Sequence, residues 1–377
     1  MIPNQKSLFS IPEQISYLNC AFTGPLLKTA QAAGEKALRA KCNPWNIKPE
    51  DFFTNIESVR TLFAQLIHCS KDDVAITPSV SYGIALAAKN LPFSQGQNIV
   101  VLKDQFPSNI YSWKRLASEN KGQIQTVDRP EDHNWTQAVI NKINSKTSIV
   151  AIPNIHWTDG SLLDLIQIGE VCRKQKAALV IDGIQSLGAM PFSIKEVQPD
   201  FLVTASHKWL LGAYSFGFCY IAPQWQKTTP LEENWLNRSG SQDFSRLVDY
   251  RDDYQKGARR FDMGEASNFF LAPVAKAALE QILEWDVKNI AQTLRMTTDY
   301  IAQKARSMGL IVPPKKQRAE HMTGITLPSG IPENLPSKLS SEQIYISIRG
   351  DSIRIAPHLY NTEEDIDRLF ECIGEVI

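Results

Sequence analysis

The sequence has no apolar run near the roughly 20 residues that a membrane-spanning helix needs. It therefore gives no sign of a membrane partner. Its opening residues, "MIPNQKSLFSIPEQ", show no basic segment followed by an apolar one. No secretory signal is read there, and a cytoplasmic protein is expected. Net charge is also missing: 40 Lys and Arg face 40 Asp and Glu. That balance offers no basic surplus to a nucleic acid, and it removes one barrier to self-association. Cysteines are few: Cys20, Cys42, Cys69, Cys172, Cys219 and Cys372 are scattered, with no metal-ligand spacing. They read as reduced thiols. The six histidines form no H-x-x-x-H pattern, so no metal is expected. G-x-G-x-x-G after the first strand and the P-loop are both absent, which argues against a nicotinamide-binding or nucleotide-hydrolysing site.

What is present is a chain of 377 residues, long enough for one large domain and a smaller one. Six short apolar runs stand out: "VAIT", "NIVVL", "SIVAIPN", "ALVIDG", "FLVTASH" and "FGFCYIA". They are too short for buried helices and several alternate with helical patterns. Near-continuous apolar strands of this kind predict an α/β fold, a mostly parallel sheet covered by helices on both faces. "FTNIESVRTLFAQLIH" reads as a helix with Val59, Leu62, Phe63, Leu66 and Ile67 on one face. A long helical pattern from Pro273 places Leu279, Ile282, Leu283, Val287, Ile290 and Leu294 on one face. "YISIRGDSIRIAP" reads as two strands and a tight turn. "NTEEDIDRLFECIGEVI" reads as a last helix, with Asn361 and Glu364 spaced like a capping box. The expected organisation is an N-terminal arm over 1–15, a large domain over 16–284 and a small α+β domain over 285–377. Residues 225–264 have no period and read as one long loop, of the kind that is usually functional or disordered.

Ligands in open α/β sheets sit at the carboxyl ends of strands. The residues that follow each apolar run are therefore the candidates. Asp182 ends "LVID", and His207 and Lys208 follow "FLVTAS". Ser79, Val80 and Ser81 open a helix after "VAIT". Phe106 follows "NIVVLKD", Asn154 follows "SIVAIP", and Arg354 stands in "SIRIAP". Each alone has an ordinary explanation as a cap, a turn, a core ring or a surface cation. Together they match what pyridoxal phosphate needs. Lys208 would supply the Schiff-base amine and then shuttle protons. Asp182 would stand against the pyridine nitrogen and Phe106 would stack on the ring. Ser79, the Val80 amide and Ser81 would hold the phosphate at a helix N-terminus.

The stretches "LVIDGIQSLGAMPF", "PDFLVTASHKWLLGAYSFGF" and "DSIRIAPHLYNTEEDIDRL" resemble class V aminotransferases, which are fold-type I pyridoxal-phosphate enzymes. That family includes cysteine desulfurase-like, selenocysteine lyase-like, kynureninase-like and isopenicillin-epimerase-like proteins. The resemblance implies further roles. Gln185 would bond the oxygen of the cofactor's ring hydroxyl, and Ser206 and His207 would lie on the phosphate side. Asn154 would lie near ring and substrate, and Arg354 would bind the α-carboxylate. It also implies a homodimer in which "RRFDMGEASNF" reaches a neighbour's phosphate site. Glu265 stands where some members have threonine, and Ser267 or Asn268 would take that part. Two features depart from the desulfurases: Phe106 stands where they have a histidine, and no cysteine lies between Tyr220 and Arg354. A persulfide mechanism then has no evident nucleophile. The expected substrate is an amino acid or keto acid, and the expected reaction is transamination, with elimination or epimerisation as alternatives. Arg238, Tyr250, Arg259 and Arg260 are candidates for the substrate side chain.

Overall fold

The six apolar runs form one sheet, which a seventh strand, Gln123–Val127, completes at an edge. The computed structural model describes residues 1–377. Across the sheet the order is Val74–Thr77, Gly217–Ile221, Phe201–Ala205, Ala178–Asp182, Thr147–Pro153, Asn98–Leu102, Gln123–Val127. Gly217–Ile221 runs antiparallel to both neighbours, and the other pairings are parallel. The expected helix-covered, mostly parallel sheet is thus the observed one. Val74–Thr77, Asn98–Leu102 and Phe201–Ala205 are buried at every position. Burial on both faces is why these runs do not alternate. The edge strand buries only Val127. Its polar residues leave no apolar run in the sequence.

Helix Val80–Asn90 lies tightly on the sheet. A Cβ at Gly83 would come within 2.4 Å of Val203 Cγ1, so glycine is what permits this approach. Helix Asp51–Leu66 buries Val59 and Phe63 as expected, and Phe63 stacks on Phe218 with centroids 4.2 Å apart. The long helical pattern is two helices, Leu271–Trp285 and Val287–Ser307, which corrects the single face read from sequence. Asp286 stands between them at φ +63°, and its carboxylate accepts the Lys288 amide at 2.7 Å. A helix cannot pass through a left-handed residue, so the chain turns there. Leu279 and Ile282 before the break, and Ile290 and Leu294 after it, still enter one core.

The small sheet is Ser347–Arg349, Ser352–Ile355 and Thr323–Thr326, all antiparallel. A separate strand, Ile344–Tyr345, overlaps the start of the run "YISIR" and pairs parallel with Ser16–Tyr17. A distinct apolar cluster fills this end of the molecule, from Ile301 to Ile373 together with Leu18. The last helix, Glu363–Gly374, carries a capping box made by Thr362 and Asp365. The cap is shifted one residue from the Asn361 and Glu364 pair expected, and Asn361 instead donates to Asp365 at 3.1 Å. Residues 225–264 are irregular apart from short 3-10 turns such as Phe244–Arg246 and Gly257–Phe261. The end of that segment is pinned by buried Arg60, which donates two bonds to Asp262 at 3.1 and 2.7 Å. Asp262 also accepts the Ile76 amide at 2.7 Å. This fixes the segment against the strand that leads to Ser79.

Candidate active site

At the carboxyl end of the sheet is a cavity of about 190 Å³, lined by Ser79, Val80, Ser81, Phe106, Asp182, His207 and Lys208. These seven come from four strand ends and were singled out in the sequence. Larger grooves of about 690 and 630 Å³ lie at the amino end of the sheet and between outer helices. Neither gathers an acid from a strand's carboxyl end with a lysine.

Lys208 is half-buried, with Nζ 5.6 Å from the Phe106 ring centroid. Burial lowers its pKa to about 8, against the opposing pull of Asp182. A sizeable fraction of the amine is then neutral near pH 7.5. Burial also raises Asp182 to about 6, while the Ile184 amide and Lys208 act the other way. Asp182 is therefore a carboxylate at neutral pH, and the Ile184 amide donates to it at 3.1 Å. His207 is held neutral, its pKa lowered to about 4 by burial and by Lys208. Its ring lies 4.6 Å from Tyr214, and its Nδ1 has no partner.

Ser79 caps the helix: its Oγ accepts the Tyr82 amide at 3.2 Å and lies 2.9 Å from Ser81 Oγ. The amides of Val80 and Ser81 belong to the first helical turn and lack intrahelical acceptors. They form an anion cradle beside the serine hydroxyls.

Three candidates lie outside the cavity wall with their polar atoms engaged. Ser206 Oγ donates to the Ala213 carbonyl at 2.6 Å and closes the loop that carries Lys208. That bond places the hydroxyl in the loop rather than on the phosphate side. Gln185 donates to the Ala21 carbonyl at 3.1 Å and accepts from Trp209 Nε1 at 2.9 Å. Asn154 donates to the Leu163 carbonyl at 3.1 Å. Ser267 and Asn268 are also away from this chain's own cavity. Asn268 Oδ1 accepts the Leu271 amide at 2.9 Å, and buried Ser267 Oγ has no partner. Of the four candidates for a substrate side chain, Arg259 pairs with Glu57 and Asp72, and Arg238 pairs with Glu233. Arg260 lies over Tyr254, and Tyr250 is almost wholly exposed. None of the four lines the cavity.

Arg354 is fully buried and forms no ion pair. It donates to the Trp157 carbonyl at 2.8 Å and to Ser347 Oγ at 3.3 Å, and its Nε has no acceptor. Burial and the charge of Arg349 lower its pKa to about 9. A buried guanidinium without a carboxylate is costly, and an incoming anion would offset that cost.

Sequence distance hid several contributors. Tyr214, Ser215, Ser108 and Ile184 also line the wall. Trp157 packs edge-on against Phe106 at 5.4 Å, with its Nε1 donating to the Asp104 carbonyl at 2.7 Å. Cys20 Sγ lies 3.9 Å from the Lys208 carbonyl. Gly24 packs so closely that a Cβ there would be 2.2 Å from the same oxygen. Burial raises the Cys20 thiol well above its ordinary pKa, so the one thiol beneath the lysine loop stays protonated.

Residues 48–369 match the family described as Aminotransferase class-V. The uncharacterized aminotransferase YcbU of Bacillus subtilis is 27% identical over 325 residues, 82% of this chain and 80% of that protein. Isopenicillin N epimerase of Streptomyces clavuligerus is 22% identical over 372 residues, 94% of this chain and 93% of that protein. Among solved structures, a complex of the cystine C–S lyase C-DES with its product cysteine persulfide superposes with a TM-score of 0.87. It is 18% identical and covers 97% of this chain and 98% of that one.

Proposed function

We propose that this chain, which belongs to the class-V aminotransferase family, catalyses amino-group transfer between an amino acid and a keto acid. Its cofactor is pyridoxal phosphate, which when bound supplies an electron sink for charge left at a substrate Cα. The residues present fit that group: an amine, a buried carboxylate, a flat aromatic wall and an anion cradle surround one cavity.

In this reading, Ser81 and the amides of Val80 and Ser81 hold the phosphate, with His207 beside them. Asp182 keeps a proton on the pyridine nitrogen by accepting its N–H as a carboxylate. Arg354 grips the substrate α-carboxylate with the edge that ends at its unpartnered Nε. Lys208 Nζ, partly neutral at working pH, takes the proton from Cα and returns it elsewhere. Phe106 forms a wall that stacks but moves no proton. The observation that carries the reading is a buried guanidinium without a carboxylate, in the fold that presents Lys208 and Asp182 to one cavity. The protonated, buried Cys20 offers no thiolate for persulfide formation, which disfavours desulfuration.

In this reading the cofactor-binding part spans 16–284 and the small domain 285–377, with the turn at Asp286 just past the boundary. A second copy of the chain brings Ser267 and Asn268 towards the phosphate. The six unpaired cysteines fit a reducing, cytoplasmic setting.

The test is a screen of amino acids against the reconstituted enzyme, followed by absorbance. Stoichiometric conversion of the cofactor to its pyridoxamine form, with keto acid released, supports the proposal. Ammonia release or loss of optical rotation without conversion replaces it with elimination or epimerisation. Borohydride reduction before digestion should leave the cofactor on the peptide that contains Lys208, and label on another lysine removes that assignment.

A further inference from the structure

The small sheet places two arginines on one face. Ser347 faces Arg354 across the strand pair, and Arg349 faces Ser352. Side chains alternate along a strand, so Ser347 and Arg349 point the same way, and Arg354 joins them. Arg349 and Arg354 are therefore diagonal neighbours, about 7–8 Å apart by the usual geometry of such pairs and within reach of long side chains. Trp157 lies between them and the lysine. Arg354 bonds its carbonyl, while the Arg349 guanidinium lies 5.6 Å from its ring centroid. The same indole touches Phe106, whose ring lies beneath Lys208 Nζ. The positive charge of Arg349 acts on both Lys208 and Arg354.

Arg349 is half-buried, and its side chain's only hydrogen bond is to the neighbouring Ile348 carbonyl at 2.8 Å. It forms no ion pair, although Asp351 stands two residues away on the turn. Arg60, Arg129, Arg259 and Arg318 each have a carboxylate partner. Neither guanidinium lines the cavity wall, but the charge of each reaches Lys208; together they can meet two negative charges, and one α-carboxylate supplies a single charge. The Arg349 guanidinium lies against the Trp157 ring, whereas Arg354 bonds the backbone carbonyl of the same residue, so different parts of Trp157 hold the two guanidiniums.

We propose that Arg349 is a specificity-determining residue that binds a second acidic group on the substrate side chain, making the preferred substrates dicarboxylic amino acids and their keto acids. This rests on the reading above in which Arg354 holds the α-carboxylate. A bidentate, charge-assisted contact from Arg349 would favour such substrates on the order of tenfold or more.

The test uses binding, so that it stands apart from the reaction type. Glutarate and valerate have the same carbon count and differ in the second carboxylate. Each is titrated calorimetrically into the pyridoxal-phosphate-loaded enzyme. Glutarate should bind at least tenfold tighter. Arg349→Gln should abolish that preference and leave valerate unchanged, while Arg354→Gln should weaken both. Arg349→Lys should keep part of the preference, because it keeps the charge without the fork. Equal affinity in the unaltered enzyme, or no binding of glutarate, overturns the proposal and needs no variant. Arg349→Gln weakening both acids equally also overturns it, since Arg349 would then share one carboxylate. If the glutarate preference holds while transamination is not found, only the reaction assignment falls.

Discussion

His321 and His358 make the stability of this enzyme acid-sensitive, by an amount the structure allows one to estimate. Both rings are fully buried. His321 contacts the Gln185 carbonyl through Nε2 at 2.6 Å and leaves Nδ1 without a partner. His358 has no partner at either nitrogen and is ringed by Trp209, Trp285 and Tyr360. Burial lowers His321 to about 4. Burial, with the neighbouring His321 adding to it, lowers His358 to about 3. In the unfolded chain both titrate near the ordinary value of about 6.5. Between these values the unfolded chain holds more protons, so stability is full above about pH 6.5 and falls as pH drops towards 4. At pH 5 each ring costs about 2 kcal/mol, or about 4 kcal/mol for the pair. That is a large part of an ordinary stability of about 5–15 kcal/mol. Raised Asp182 titrates with the opposite sign, so the informative quantity is a difference between proteins. Urea unfolding of the holoenzyme at pH 8 and pH 5, followed by tryptophan fluorescence, is compared with His321→Gln/His358→Gln. The double variant should lose about 4 kcal/mol less between the two pH values, whatever its stability at pH 8. Equal losses in the two proteins would refute the reasoning, since the buried rings would then not be the groups that take up protons.

Other expectations concern the site and the assembly. Asp182→Asn should keep the cofactor and lose at least tenfold in kcat, about 1.4 kcal/mol of barrier; an unchanged kcat would take the carboxylate out of the chemistry. Arg354→Lys should raise KM for amino acids and lower kcat/KM, with the cofactor's spectrum unaltered. A variant with lower melting temperature but unchanged KM would make Arg354 a structural residue only. Sedimentation of the holoenzyme should give a homodimer, and an active monomer would remove Ser267 and Asn268 from the phosphate site.

The strand ends explain what could be read in advance. Lys208, Asp182, Ser79 and Phe106 each follow a continuous apolar run. In a sheet buried on both faces, that local signal also fixes which end of the molecule a residue occupies. Trp157, Tyr214, Cys20 and Arg349 reach the site through loops and across the small sheet, and no local pattern marks such arrivals. The same limit explains Ser206. Its position beside His207 was visible, but its bond to Ala213 depends on how the loop folds back. Asp286 breaks a helical pattern without glycine or proline to announce it, and Gln123–Val127 is a strand whose exposed edge requires polar residues.

The pairing of Ser16–Tyr17 with Ile344–Tyr345 also bears on how the chain is made. Leu18 donates its amide to the Tyr345 carbonyl at 2.9 Å, and Cys20 donates to the Ala356 carbonyl at 3.0 Å. The residues that follow press on the lysine loop, where Gly24 donates to the His207 carbonyl at 2.8 Å. During synthesis on the ribosome, the first strand emerges more than 300 residues before its partner exists. The large sheet has all its strands by Ile221 and can assemble early, as domains do during translation. The segment 16–24 must wait, so the seat of Lys208 becomes complete only when residues 344–356 have left the tunnel. A chain that stops short of Ala356 would carry every cavity-lining residue and still lack the clasp that holds its lysine loop.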